Sequence, residues 1–317
     1  MIQSSSRILV CISIVQVTPD LPQLQALAAV VDAGSFEAAA QRLHLTPSAV
    51  SQRIKALEQA AGQVVVLRGR PAGVTPAGRA YLRLAREVDA LVAQAEAAAG
   101  GDATTTVPIA VNADSLDTWV LPALTTLPDT IAFDLRREDQ ADTATLLRDG
   151  TVMAAITSEA MPVQGCRVTA LGTMRYRPAA TADFVDRWFE IGVDERALEQ
   201  APVVVFDRRD RLQDDYLARK GARPMAPRHH VPASRSFLDA VLLGLGWGML
   251  PDLQLIDPLA EGRLVLLDEP HHVDVELYWQ QWTLRTDVLD AVAAAVAAGA
   301  AALRVPGAPP AGFEPAT

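Results

Sequence analysis

The chain has 317 residues, half of them apolar and about a fifth charged, with a formal net charge of −10. That length is too great for one small core and fits two or three domains of roughly 100 to 150 residues each. The composition excludes a disordered or fibrous chain, and Cys11 and Cys166 lie too far apart for a disulfide framework or a C-x-x-C zinc site, so a reducing compartment fits.

The opening "RILVCISIVQV" pairs a basic residue with an apolar run, but it lacks a cleavage site and is too short to span a bilayer. Residues 1–19 are read as a disordered or mis-called leader, with Val17 a candidate translation start. Leu24, Leu27, Ala28 and Val31 then recur at helical spacing, which predicts a first helix over residues 23–31 that stops at Gly34. Ser35 is placed to cap a second helix, "FEAAAQRL", and Thr46 a third, with Pro47 at its first position where a missing N–H costs nothing. Short helices joined by a tight turn make a helix-turn-helix. In the third helix Val50, Ile54, Leu57 and Ala61 form a buried stripe, and Ser48, Ser51, Gln52 and Lys55 lie opposite, flanked by Arg53.

Charge supports a functional reading of that polar face. Residues 42–86 hold Arg42, Arg53, Lys55, Arg68, Arg70, Arg79, Arg83 and Arg86 against the single acid Glu58, a local +7 that leaves −17 on the rest. Such asymmetry is the footprint of a polyanion partner. "VVVLRGRPAGVT" follows as a predicted hairpin whose Arg68 and Arg70 can reach phosphates or a narrow minor groove. The expectation is a winged helix-turn-helix with the third helix in a major groove of double-stranded promoter DNA.

After the wing, Ala77, Tyr81, Leu84, Val88, Leu91, Ala95 and Ala98 alternate spacings of four and three, a coiled-coil seam. About 24 residues at 1.5 Å each give a rod of roughly 36 Å. Its seam either pairs with that of a second subunit through Tyr81, Leu84, Val88 and Leu91, the favoured reading, or packs on its own C-terminal part. Past the linker "GGDATTT", strands and helices alternate: "VPIAVNA", "IAFDLRRED" and "VMAAITSE" with their helices, then "APVVVFD", "RHHVPAS" and theirs, then a returning strand "VELYWQQWTL" and an Ala-rich helix. This predicts two α/β lobes joined by two crossings, with a ligand cleft at the C-terminal ends of the strands. The expected boundaries are 20–78 for the DNA-binding domain, 79–104 for linker helix and hinge, and 105–304 for the two-lobed domain. Within the last, lobe I is 105–180 with 270–304, lobe II is 181–269, and 305–317 is a disordered tail.

"LAAVVDAGSFEAAAQRLHLTPSAVSQRIKALEQAAG" closely resembles the DNA-binding segment of LysR-type transcriptional regulators, and "VNADSLDTW", "LRRED", "PVQGC", "GLGWGMLP" and "LYWQQW" resemble the ArgP/LysG branch within that family. The resemblance covers roughly residues 20–304. It implies a cytoplasmic, homodimeric or homotetrameric regulator, no cofactor, and an effector domain resembling type 2 periplasmic binding proteins. It also implies a basic amino acid as effector, control of amino-acid export or metabolism, and RNA polymerase as a further candidate partner. One departure bears on the effector: "VPASRSF" carries Arg235 where the branch often has an acid, and a cation lining the cleft would oppose a cationic ligand. A neutral amino acid or another small metabolite is the alternative effector.

Within the cleft, Ser115 is the candidate cap of the helix "LDTWVLPAL" and a carboxylate holder through the helix dipole, with Trp119 on the same helix. Glu138 and Asp139, at the end of the second strand, are the candidate counter-charge for an ammonium or guanidinium; the other reading is solvated loop acids. Thr157, Ser158 and Ser234 would complete the pocket. "GLGWG" follows a helix and is read as a turn into a buried strand, not a phosphate loop, while the adjacent pairs His229–His230 and His271–His272 diverge and suit no metal. With no nucleophile elbow in sight, an enzyme, a solute-binding protein and an architectural DNA protein are the weaker classes.

Overall fold

The computed structural model describes residues 18–99, 104–137 and 140–303. The leader up to residue 17, the tail from 304, Glu138 and Asp139 lie outside the described residues. The chain divides into two compact units, Met1–Asp89 and Ala90–Thr317.

The first unit holds α1 (Leu21–Ala33), α2 (Phe36–Arg42), α3 (Pro47–Ala61), the antiparallel pair β1 (Val66–Leu67) and β2 (Gly73–Val74), and the start of α4 (Pro76–Ala98). Local chemistry sets each boundary. Asp20 and Gln23 form a reciprocal capping box on α1, which ends at Gly34 in the left-handed conformation with φ 69°. Ser35 Oγ accepts the Ala38 N–H at 3.1 Å and Thr46 Oγ1 the Ala49 N–H at 3.2 Å, so the caps expected for α2 and α3 are in place. Val50, Ile54 and Leu57 are fully buried beneath Leu27 and Val30 of α1, each contributing about 1.5–3 kcal/mol. Ala61 is only half-buried.

The lone acid of the basic stretch is used internally: Glu58 Oε1 accepts the backbone N–H groups of Val65 and Val66 at 3.1 and 3.5 Å and so fixes the root of the wing. The N–H of Ala72 donates to Gly34 O at 2.8 Å and ties the wing's return to the α1–α2 turn. At Gly78, a Cβ would lie 2.0 Å from Val65 O, so only glycine lets α4 pass the wing this closely.

The second unit begins with β3 (Thr105–Val111) and a helical turn α5 (Ala113–Ser115) that runs through a π-helical segment, Leu116–Val120, into α6 (Leu121–Leu124). It continues as β4 (Ile131–Arg137), α7 (Gln140–Arg148), β5 (Ala154–Thr157) and the long β6 (Cys166–Ala180). Next come α8 (Ala182–Trp188), α9 (Glu195–Leu198), β7 (Val203–Val205), α10 (Leu212–Arg219), β8 (Arg228–His230), α11 (Ser234–Leu242) and β9 (Gly248–Pro251). The last elements are α12 (Asp252–Ala260), β10 (Val265–Leu266), β11 (Val273–Trp282) and α13 (Asp287–Gly299).

In the first lobe β3 lies between parallel β4 and β5, and β11 returns antiparallel to β5. The second lobe pairs β7 with β8 in parallel, and β6 carries β9 and β10 antiparallel. The two crossings are long strands, not loops. β6 and β11 pair antiparallel from Val273↔Tyr176 to Trp282↔Cys166, with a register shift at Leu277/Tyr278, and the lobes share this ribbon. As expected, "GLGWG" is a turn: Gly244 takes φ 75° after α11, and a Cβ on Gly246 would meet Pro202 O at 2.8 Å.

Candidate functional site

On the first unit, α3 exposes Ser48, Gln52 and Lys55, with Ser51 and Arg53 half-buried beside them. Arg68 and Arg70 are exposed on the wing, and the Arg68 guanidinium lies 5.4 Å from the centroid of the Phe36 ring at the start of α2, a cation–π contact. The +7 count overstates the free charge. Asp32 pairs with the buried Arg86 at 2.6 Å and with Arg42 at 3.3 Å, and Glu87 pairs with Arg83 at 2.9 Å. Lys55, Arg68 and Arg70 remain exposed and supply the cationic surface. On α4, Leu84 and Leu91 are exposed and Val88 is half-buried, while Tyr81 packs against the core of the first unit.

In the second unit a cleft of about 590 Å³ opens between the lobes. It is lined where the chain leaves β3 (Asn112, Asp114), where it leaves β7 (Asp207, Asp210), and by Tyr176 of the crossing ribbon. Strand C-terminal ends converge there because each strand hands over to a helix on that side.

Asp114 is the centre of the cleft. Its Oδ1 accepts the Ser234 hydroxyl at 2.5 Å from the second lobe, and its Oδ2 accepts the Tyr176 hydroxyl at 2.7 Å. Burial pushes the Asp114 carboxyl up from its ordinary value, the bonds from Ser234 and Tyr176 pull it down, and the charges of Asp210 and Asp117 push it up again. Asp210 is raised as well, by burial first, against the N–H groups of Phe206 and Leu212 that bond its two oxygens at 3.0 Å. Burial, then the charge of Asp114, raises the Tyr176 phenol well above its ordinary range and keeps it a donor. Two crowded, partly dehydrated carboxylates form a place where a cation is favoured over water.

The sequence-predicted residues divide. Ser234 is in the cleft cluster through Asp114. Ser115 is no cap: it lies inside the helix at φ −64°, ψ −41°, with Asn112 at the N-cap position and Oγ buried without a partner. Trp119 is buried and borders a second cavity of about 700 Å³, which also holds Arg235. Arg235 is exposed there, 3.8 Å from Asp239, and does not line the cleft, whose own cations are Arg209, Arg211 and Arg219 on the second-lobe side. Thr157 accepts the Glu159 N–H at 3.1 Å, and neither it nor Ser158 borders the cleft. Glu138 and Asp139 lie outside the described residues.

Asp114, Tyr176, Gln254 and Asp210 were not singled out by sequence. Only Asp114 carried a signal, as the acid inside "NADSLDTW". Among the described residues no group of three or more His, Cys, Asp or Glu is placed to hold a metal, and no helix is long and apolar enough to cross a membrane.

Residues 21–79 match the bacterial regulatory helix-turn-helix protein, lysR family, and residues 100–301 match the LysR substrate binding domain. The HTH-type transcriptional regulator LysG of Mycobacterium tuberculosis is 47% identical over 289 residues, which cover 90% of this chain and 94% of that protein. The lysine export transcriptional regulatory protein LysG of Corynebacterium glutamicum is 42% identical over 270 residues, 83% of this chain and 92% of that one. Among solved structures, ArgP from Mycobacterium tuberculosis superposes with a TM-score of 0.79 at 46% identity, covering 90% of this chain and 98% of its own. The full-length Corynebacterium glutamicum LysG with bound effector Arg gives 0.70 at 38% identity, covering 90% and 99%.

Proposed function

The chain belongs to the LysR family of bacterial helix-turn-helix regulators, and on that premise we propose that its action on promoter DNA in the cytoplasm is set by a basic amino acid held in the interlobe cleft. Ser48, Ser51, Gln52 and Lys55 of α3, with Arg53 flanking, read a major groove, and Arg68 and Arg70 of the wing hold phosphates. The exposed leucines of α4 pair two copies, so two reading helices meet successive grooves.

The observation that carries the ligand assignment is the buried Asp114 carboxylate with Asp210 beside it. A lysine or arginine side chain entering the cleft meets this charge, and a neutral isostere leaves it uncompensated. The related Corynebacterium glutamicum protein with bound Arg supports the same chemistry. Control of amino-acid export or metabolism follows from the same relatives.

Fluorescence anisotropy with DNA from upstream of its own or a neighbouring gene tests the reading. Arginine or lysine should change the affinity or footprint of the parent chain and leave Asp114→Asn unmoved. DNA binding that no basic amino acid alters would refute it.

A further inference from the structure

Helix α11 of the second lobe starts without a side-chain cap of its own, for Ala233 stands at the N-cap position. Its N-terminus is met instead from the first lobe. The backbone N–H of Arg235 donates to Asp117 Oδ2 at 3.1 Å. One turn earlier on that same helical stretch, Asp114 accepts the Ser234 hydroxyl. Gln254 donates to the Ser234 oxygen at 2.7 Å, which occupies the acceptor side of that hydroxyl and leaves its single proton for Asp114.

Asp114 and Asp117 are three residues apart and therefore share a helix face. That face presents two carboxylates to the first two residues of α11, where free N–H groups and the helix dipole favour negative charge. Every partner in both contacts is a protein group, so the arrangement is complete with the chain's own atoms.

We infer that these contacts form an interlobe clasp, in which Asp117 and Gln254 are positioning residues that hold the α11 N-terminus and the Ser234 hydroxyl on Asp114, and that clasp closure and cation binding reinforce each other. Hydrogen bonds to an ionised carboxylate are about twice as strong as those to a neutral group. A cation beside Asp114 favours its ionised form and so tightens the bond from Ser234. Coupling between the two events is reciprocal, so loosening the clasp weakens the cation by the same factor. The coupling rests on the reading of the cleft given above; the clasp does not.

Hydrogen exchange on the full chain reads the clasp with no ligand, at peptides covering the start of α11. Asp117→Ala frees the Arg235 N–H and raises its exchange about tenfold, and Asp117→Asn, whose amide oxygen still accepts that bond, restores much of the protection. Calorimetry with arginine reads the coupling: Asp117→Ala and Gln254→Leu each weaken binding about tenfold, with Asp117→Asn closer to the parent. Unchanged exchange in Asp117→Ala overturns the clasp. Raised exchange at parental arginine affinity overturns the coupling. A parent chain that binds no basic amino acid overturns the reading of the cleft and the coupling with it, while the exchange result still decides the clasp. Should Asp117→Ala not fold, Asp117→Ser, whose shorter side chain gives up the bond from the Arg235 N–H, gives the exchange reading, and Ser234→Ala, which leaves the α11 backbone cap intact, gives the coupling.

Discussion

Tyr176, on the strand that crosses between the lobes, donates its hydroxyl to Asp114 Oδ2 at 2.7 Å. The bond joins the hinge ribbon to the charge that the cleft presents, and it is made in a buried setting that raises the Asp114 carboxyl above its ordinary 3.8.

This shift fixes the sign of a pH effect. The folded chain holds the Asp114 proton more tightly than the unfolded chain, so its contribution to stability is complete below the unfolded value and is lost as pH rises through the raised folded value. For a cationic ligand the direction reverses, because proton and cation compete for one carboxylate. Arginine affinity should fall as pH drops through the raised value, at a higher pH than an ordinary carboxylate would set. The slope should shrink in Asp114→Asn to the part that the raised Asp210 carboxyl contributes.

On the DNA side, Arg68→Ala and Arg70→Ala should each weaken binding on all sequences and reduce the salt dependence by about one phosphate contact. Gln52→Ala should instead reduce discrimination between the site and its single-base variants by about 1–3 kcal/mol. A salt titration on matched and mismatched duplexes separates the two behaviours. Because Arg68 rests on Phe36, Phe36→Leu should reproduce part of the Arg68→Ala loss.

The helix caps of the first unit could be read from sequence because each lies within three residues of the group it serves, as with Ser35 and Ala38 or Thr46 and Ala49. The strands of the second unit could be read because they are short apolar runs between turn residues. The cleft could not be read in the same way. Asp114 takes its meaning from Tyr176, 62 positions on, and Ser234, 120 positions on, which no local spacing encodes. Ser115 looked like a cap because serine favours that position, yet the helix starts at Ala113 and turns it inward. Asp210 lies in the short connection between the strand "APVVVFD" and the helix after it, and only the fold shows it bonded by its own backbone and facing Asp114's cavity.

Asp32 holds both Arg86, 8% exposed, and Arg42, 54% exposed. Asp32→Ala takes one partner from the buried Arg86, which keeps the charge of Asp89 nearby, and should cost about 1–3 kcal/mol. Arg42→Ala removes only an exposed pair and should cost under about 1 kcal/mol. Thermal denaturation of the three chains side by side checks the ordering.

The seam of α4 is tested by mass. Leu84 and Leu91 are 40% and 47% exposed, and Leu91→Glu would place a charge in the proposed pairing surface. Light scattering should show a smaller assembly than the parent. An unchanged mass would mean that these leucines do not pair two copies.

The charge of the cleft is read by calorimetry of the parent chain and Asp114→Asn with lysine, arginine, histidine, leucine and glutamate. A basic amino acid should bind the parent, leucine and glutamate should not, and Asp114→Asn should weaken the basic ligand at least about tenfold, the loss of one charge-assisted bond. Binding of leucine or glutamate with none of the three basic ligands, or parental arginine affinity in Asp114→Asn, would contradict the assignment of a basic ligand to the cleft.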